Sequence, residues 1–143
     1  MKPEFVAANT HERRRLAALV SGLRDEALMR PMGDHWTVSV ALAHLAFWDE
    51  RSLFLLRKWR REGVSPSPID IDVTNDCLLS LWRAVPPRAA ANLAVAAAEA
   101  VDRELEELAP ELIRAIQDIG EDHKLFRAAH RKRHLDQIEA VLG

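Results

Sequence analysis

Three histidines have the residue type and the spacing for metal chemistry. His130 and His134 are four residues apart, and His44 lies much earlier in the chain. On a helix, a spacing of four places both imidazoles on one face about one turn apart, where they can bind one ion. Burying an imidazole costs free energy unless a partner binds it. Apolar neighbours around all three rings would therefore favour a divalent metal ion as that partner.

The helical neighbours of these histidines are indeed apolar. Those three or four positions from His44 are Val40, Ala41, Phe47 and Trp48. The pair shares its face with Phe126, Ile138 and Val141. Taken alone, His44 is also compatible with a core histidine that hydrogen-bonds a backbone or carboxylate group, and a pair four residues apart also arises by chance. The metal interpretation therefore requires that all three rings meet.

Three neutral imidazoles would leave a divalent ion with at least one open coordination position, as in catalytic sites. A bound water with a pKa of about 7 could act as a nucleophile, and a bound thiolate could attack an electrophile. Hydrolysis and S-transfer therefore both remain open. Imidazole suits zinc, nickel, copper and iron, and zinc is our first expectation because it is widely available.

Other site chemistries fit the sequence less well. A di-iron carboxylate site needs Glu-x-x-His on two helices, and no histidine here has Glu or Asp three residues before it. An iron facial triad needs a carboxylate beside the rings, whereas Asp49 and Asp136 are expected off the relevant helix faces. His123, seven residues before His130, is a candidate fourth ligand or proton-handling group, or else a solvated residue. Cys77 could supply a thiolate, but its apolar neighbours favour a small core residue.

The chain that must position these residues is expected to be all-α. Ala, Leu, Arg and Glu dominate, Tyr is absent, and no segment alternates polar and apolar residues over a strand's length. We expect long helices at about 5–29, 37–62, 87–108 and 122–142. Short extra helices are expected at about 75–84, before the third long helix, and at 111–118, before the last. Thr37 is the expected N-cap of the second helix, Gly63 its end, and 64–72 a crossover loop.

These lengths favour a four-helix bundle occupying residues 1–143 as a single domain, a fold that assembles metal sites from facing helices. Four aromatic residues could line an apolar pocket above the metal or make ordinary core or dimer contacts: Trp48, Trp59, Trp82 and Phe126. Basic runs at 13–15, 57–61 and 131–133 have acidic neighbours and are expected on solvated faces.

Composition narrows the classes of partner and compartment. The chain of 143 residues has 20 Lys and Arg against 22 Asp and Glu, a net charge of -2 that offers no field to attract nucleic acid or an anionic membrane. Its single cysteine excludes an internal disulfide. Apolar stretches are too short to span a bilayer, and residues 1–8 lack the pattern of a secretory signal. We expect a soluble cytoplasmic protein.

Two segments resemble a known family. The runs WTVSVALAHL at 36–45 and HRKRHLDQI at 130–138 are similar to motifs of the DinB-like superfamily of four-helix bundles, which includes YfiT-like proteins and thiol-dependent S-transferases. In that family Trp followed by Ser or Thr opens the second helix, a histidine follows about two turns later, and a His-x-x-x-His-like pair on the last helix precedes Leu-x-Gln-Ile. The resemblance covers nearly the whole chain.

The resemblance implies both a site and partners. His44, His130 and His134 would be the family's three metal ligands, holding zinc or nickel. The reactants would be a small molecule and a low-molecular-weight thiol, and the chain would form a homodimer. The sequence therefore predicts a metal-dependent enzyme, a thiol S-transferase or else a hydrolase. The alternative is a metal-free bundle that acts as a binding or dimerisation module.

Overall fold

The computed structural model describes residues 2–143, and the all-α prediction is confirmed over this range. Its seven α-helices are α1 (Glu4–Gly22), α2 (Asp25–Leu28), α3 (Val38–Glu62), α4 (Ile71–Ala84), α5 (Pro87–Glu106), α6 (Pro110–Asp118) and α7 (Ala128–Leu142). A 3₁₀ helix covers Asp122–Lys124. The only strands in this part of the chain, β1 (Pro31–Met32) and β2 (Trp36–Thr37), form an antiparallel hairpin of two residues each.

The four longest helices contact one another in a closed ring. Helix α1 packs against α5 and α7, and α3 packs against the same two helices on the other side. Helix α4 lies outside the ring, against α3. Because α3 carries His44 and α7 carries the histidine pair, this arrangement makes the two histidine-bearing helices neighbours.

A stripe of alanines explains the close packing of α5 in this ring. The buried alanines of α5 recur three or four residues apart, at Ala90, Ala94, Ala97 and Ala98. This is the spacing of one helix face. Small side chains on that face bring the helix axes together, and larger residues of α3, including Leu42 and Leu45, complete the cluster with Leu135 and Ile138 of α7. The same cluster therefore fixes the positions of α3 and α7 on either side of the histidines.

The start and end of α3 follow the sequence prediction. The hydroxyl oxygen of Thr37 accepts a hydrogen bond from the Val40 amide at 3.2 Å, the pattern of an N-cap. At the other end, Gly63 donates its amide to the Trp59 carbonyl at 2.8 Å and adopts a φ of 91°, a conformation that favours glycine. The segment 63–70 then crosses to α4 without regular structure, as its two prolines predict.

The first helix ends at Gly22, seven residues before the predicted end, and the cause is a distant arginine. Arg88 of α5 donates to the Val20 carbonyl at 3.3 Å and to the Leu23 carbonyl at 2.7 Å. These contacts satisfy carbonyl groups that a longer helix would have paired internally. The apolar periodicity continues past this point, so the sequence pattern alone does not show the break.

The last helix begins at Ala128, six residues later than predicted. Asn9 of α1 is buried and binds the backbone of this segment twice, donating to the Leu125 carbonyl at 2.8 Å and accepting from the Ala128 amide at 2.9 Å. His123 consequently lies in the 3₁₀ helix and not on α7. Helix α4 begins earlier than predicted, at Ile71, because the Asp70 carboxylate caps it by accepting from the Val73 amide at 3.0 Å.

The outward faces of the long helices are polar, as their amphipathic patterns predict. The exposed large apolar side chains on these helices are Phe54 of α3 and Leu93 of α5. Among the described helices, none combines the length and the apolarity needed to cross a bilayer.

Candidate metal centre

The structure brings the three predicted histidines together. The Nε2 atoms of His44 and His130 are 3.0 Å apart. The ring centroids lie 4.7 Å apart for His44 and His134, 4.8 Å for His130 and His134, and 4.9 Å for His44 and His130. One nitrogen from each ring falls within 4.8 Å of the other two. The expected meeting of the rings is confirmed, and a metal held between them stays a prediction.

The spacing of the nitrogens fits a metal ion. Four ligands at 2.0–2.1 Å from a tetrahedral zinc ion lie roughly 3.3 Å from one another. The 3.0 Å separation of the His44 and His130 nitrogens is a few tenths of an ångström shorter. The other nitrogen pairs lie within 4.8 Å of one another, and an ion between the rings would draw the wider pairs closer. The three rings are therefore compatible with one shared ion.

The protonation state of the rings suits ligands. Burial first, and then the charges of nearby histidines and arginines, lower the pKa of His44 to about 2 and that of His130 to about 3. Burial also lowers the pKa of His134, partly offset by its hydrogen bond to Gln137. All three imidazoles are therefore neutral at pH 7, and each has a lone pair available for coordination.

Hydrogen bonding fixes which nitrogen of His134 is available. Its Nδ1 lies 2.9 Å from the Gln137 Oε1. Since an amide oxygen only accepts, Nδ1 carries the hydrogen and Nε2 carries the lone pair. Such an outer partner is the usual support of a metal-binding histidine. Without an ion, the contact between His44 and His130 requires that one Nε2 donates to the other, and an ion would replace that hydrogen.

Three tryptophans hold the His44 ring in place. Trp36, at the end of the small hairpin, lies 4.8 Å from His44 between centroids and stacks on His134 at 5.9 Å. Trp82 of α4 and Trp48 of α3 contact His44 edge to face, at 5.2 Å and 6.3 Å. Aromatic packing on several sides restricts the orientation of the imidazole, which is what a preformed site requires.

A cavity of about 470 Å³ opens beside the histidines, large enough for a small molecule. Its walls combine aromatic rings with cationic groups and contain no acidic side chain within the described residues. The aromatic members are Trp36, Trp48 and Phe126, and the basic ones are Lys124, Arg127, Arg133 and His123. All three candidate ligands reach it, so a reactant in the cavity would have access to an ion bound there.

The pocket prediction was partly right about aromatic residues. Trp48 and Phe126 line the cavity, and Trp82 lies behind it against His44. Trp59 lies elsewhere, buried in a second core cluster with its indole donating to the Ser65 carbonyl at 3.0 Å. Sequence reasoning missed the contribution of Trp36. Its position directly before the N-cap, two turns ahead of His44, was the available signal.

Neither acidic candidate joins the histidines. The Asp49 carboxylate is buried and accepts from the Nε atoms of Arg127, at 2.9 Å, and Arg131, at 3.2 Å. Asp136 is exposed and pairs with Arg15 at 2.7 Å. In the part of the chain that the structure describes, the close group therefore consists of three imidazoles. This matches the expectation that Asp49 and Asp136 lie away from the faces that carry the histidines.

The prediction that Arg131 lies on a solvated face is wrong. Its side chain is fully buried and forms a two-point ion pair with Asp102, at 3.0 and 2.8 Å, while also binding Asp49. The basic residues on either side suggested exposure. However, Leu135 and Ile138, four and seven residues later, are buried core residues, and this spacing places position 131 on the same inward face.

His123 and Cys77 lie outside the group of three rings. The His123 side chain is 63% exposed at the cavity rim, with its Nε2 3.1 Å from a Glu121 carboxylate oxygen. Cys77 is exposed on α4 and does not line the cavity, so the interpretation of it as a core residue is wrong. Neither residue is placed to complete the site in this structure.

Comparisons of the chain with protein-family models, with curated proteins and with solved structures find no match. The resemblance to the DinB-like superfamily therefore depends on the two sequence motifs alone.

Proposed function

We propose that this protein is a metal-dependent enzyme with the DinB-like four-helix-bundle fold, in which His44, His130 and His134 bind a divalent ion. Zinc is the first candidate and nickel the second. One observation carries the proposal: three neutral imidazoles from two separate helices converge on the wall of a cavity. Buried polar groups are usually satisfied by a partner, and one shared ion would satisfy all three rings.

The ring of helices α1, α3, α5 and α7 supports the fold assignment. Each of these helices packs against two others of the ring, as expected for a bundle. The histidines come from two facing helices, which is where bundle folds build metal sites. The short helices α4 and α6 precede the third and the last long helix of that bundle, in the order that the proposal requires.

An ion at this site would lower the pKa of a water or thiol bound at its open position. Residues of the chain would hold the ion and position the reactant. The three imidazoles would hold the ion, and Gln137 would keep His134 in the correct tautomer. Trp36 and Trp48 would exclude bulk water from one side of the cavity and contact an apolar part of the reactant.

For the reaction we favour S-transfer from a low-molecular-weight thiol, with metal-dependent hydrolysis as the alternative. The single cysteine, Cys77, lies away from the cavity, so the protein itself supplies no thiol at the site. A thiol reactant would therefore enter as a second small molecule. A thiol-consumption assay with a panel of electrophiles, run on metal-loaded protein, separates transfer from hydrolysis.

The metal content of tag-free protein tests the proposal. We expect about one ion per chain in the wild type, and its loss in His44→Ala and His130→Ala. His11→Ala is the matched control, because His11 is exposed on α1 and does not line the cavity, and it should keep the ion. Equal metal content in all four proteins, or no metal in any of them, would contradict the proposed metal site.

A metal-free binding or dimerisation module is the second candidate. The 3.0 Å separation of the His44 and His130 nitrogens favours it, because this distance also suits a direct hydrogen bond between the rings. Absence of metal in the wild type, together with a stable dimer in size-exclusion chromatography with light scattering, would support that function. The homodimer itself stays a prediction.

A further inference from the structure

A buried lysine without a protein partner lies in the cavity wall. Lys124 is 6% exposed and lines the cavity, yet its ammonium group makes no hydrogen bond or ion pair with residues 2–143. Lysine is seldom buried to this extent unless it is paired. Its pKa is lowered to about 8, first by burial and then by the charges of Arg51 and Arg127, with Glu121 opposing. No described carboxylate hydrogen-bonds this cation, and the charge of Glu121 offsets only part of the cost of burying it.

Two arginines beside Lys124 add further unused donors. Arg127 donates its Nε to Asp49 at 2.9 Å and its Nη1 to the His123 carbonyl at 3.3 Å, which leaves Nη2 without a hydrogen bond to any described residue. Arg51 binds Ser67 through Nη2, and its Nη1 is buried without a partner. Three cationic side chains therefore lie together with more donors than the surrounding protein satisfies.

The nearby carboxylates differ in how they are paired. Asp49 is shared between Arg127 and Arg131, whereas Glu121 lies 3.1 Å from the His123 ring and its buried Oε2 accepts no hydrogen bond from residues 2–143. Since no acidic side chain lines the cavity in the described residues, the positive charge there is not balanced. A concave site with excess positive charge and unused N–H donors attracts anions.

We propose that Lys124 and Arg127 form an anion-binding subsite in this cavity, which takes the carboxylate or phosphate group of a small organic molecule. Trp48 and Phe126 provide apolar walls for the body of that molecule. His130 lines the same cavity, and the reactive group of that molecule would lie at the histidine end of the cavity. The subsite therefore assigns a substrate class to the proposed enzyme. The reaction of that substrate depends on the proposed function, whereas binding of the anion does not, since it needs no metal.

An NMR titration of metal-free protein tests the subsite. The probes are 4-nitrobenzoate, 4-nitrobenzylphosphonate and the neutral 4-nitrobenzamide at constant ionic strength, followed through the assigned indole signals of Trp36 and Trp48. The indole signal of Trp59, outside the cavity, serves as an internal reference. We expect at least one of the two anions to bind about tenfold more tightly than the amide, as a charge-assisted hydrogen bond predicts.

Matched variants assign the effect to Lys124. Lys124→Met should reduce the anion preference to less than about threefold, and Lys124→Arg should retain it. Lys58→Met, which removes an exposed lysine of α3, should leave it unchanged. Because Lys124 has no protein partner, Lys124→Met should remain folded, which its thermal midpoint checks. Equal affinity of the wild type for anions and amide, or a preference that survives in Lys124→Met, would overturn the proposal.

A further variant separates this inference from the metal proposal. His44→Ala should lose metal but keep the anion preference, because Lys124 and Arg127 do not depend on His44 for their positions. If the wild type binds no metal and still prefers anions, the proposed function fails and the subsite stands. If it binds metal without any anion preference, the subsite fails and the proposed function stands.

Discussion

Arg131 and Asp102 form a fully buried two-point ion pair between α7 and α5, with N–O distances of 2.8 and 3.0 Å. The same guanidinium also reaches Asp49 on α3 and the Asn9 carbonyl on α1. One side chain therefore connects all four helices of the ring directly beside His130. Its fixed position sets the rotation of α7 and, with it, the direction of both α7 histidines.

The first prediction concerns this ion pair. Arg131→Met should lower the free energy of unfolding by about 3–5 kcal/mol, because it leaves the buried Asp102 carboxylate without its two-point partner and Asp49 with only Arg127. Burial already raises the pKa of Asp102, and the Arg131 hydrogen bond opposes that rise. Urea denaturation measures the change. Lys132→Met, at the exposed neighbouring position, should cost less than about 1 kcal/mol. A loss of similar size in both variants would contradict the assignment.

The second prediction concerns the support of His134. Gln137→Leu should weaken zinc affinity by about 10–100-fold, since the Nδ1 hydrogen loses its acceptor and the ring its orientation. Gln137→Glu should retain affinity because a carboxylate also accepts. Competition with a zinc-binding dye measures both values. Unchanged affinity in the leucine variant would show that Gln137 does not orient the ligand.

The third prediction is the pH dependence of stability due to Lys124. Its folded-state pKa of about 8 lies below the usual value of 10.5, so the unfolded chain binds more protons between these two pH values. Stability should therefore rise as the pH increases through this window. The groups that act on Lys124 are Arg51 and Arg127, which lower its pKa, and Glu121, which raises it. Thermal midpoints at pH 7 to 10 should rise in the wild type relative to Lys124→Met, and parallel curves would refute the effect.

The fourth prediction concerns acid. The folded-state pKa values of His44 and His130, about 2 and 3, lie below the usual 6.5. Between these values the unfolded chain therefore binds more protons than the folded chain. Metal-free protein should lose stability as the pH falls from about 6.5 toward 3. His44→Phe keeps an aromatic ring between Trp36 and Trp82 and should show a smaller loss than the wild type. The exposed His11→Phe variant should follow the wild type, and identical losses in all three would contradict the burial argument.

The sequence predicted the features that depend on local pattern. Thr37 capped α3 as expected, and helical spacing placed His44 and the His130 pair on inward faces. That these faces meet was also predictable, because bundle helices of this length and order place their apolar stripes together.

Features that depend on distant contacts were not predictable. Arg88 ends α1 from another helix, and Asn9 delays the start of α7 from across the ring. Neither Arg88 nor Asn9 lies close in sequence to the helix end that it changes. The buried cations are similar, because Arg131 lies between two polar residues, Lys124 follows three polar residues, and only the fold encloses them.

Anomalous diffraction at the zinc absorption edge tests the central claim most directly, using crystals of tag-free protein supplied with one equivalent of zinc. We expect one strong anomalous peak, with nitrogens of His44, His130 and His134 at about 2.0–2.1 Å from it. A map without a peak at the three rings, or with zinc bound only elsewhere on the surface, would contradict it.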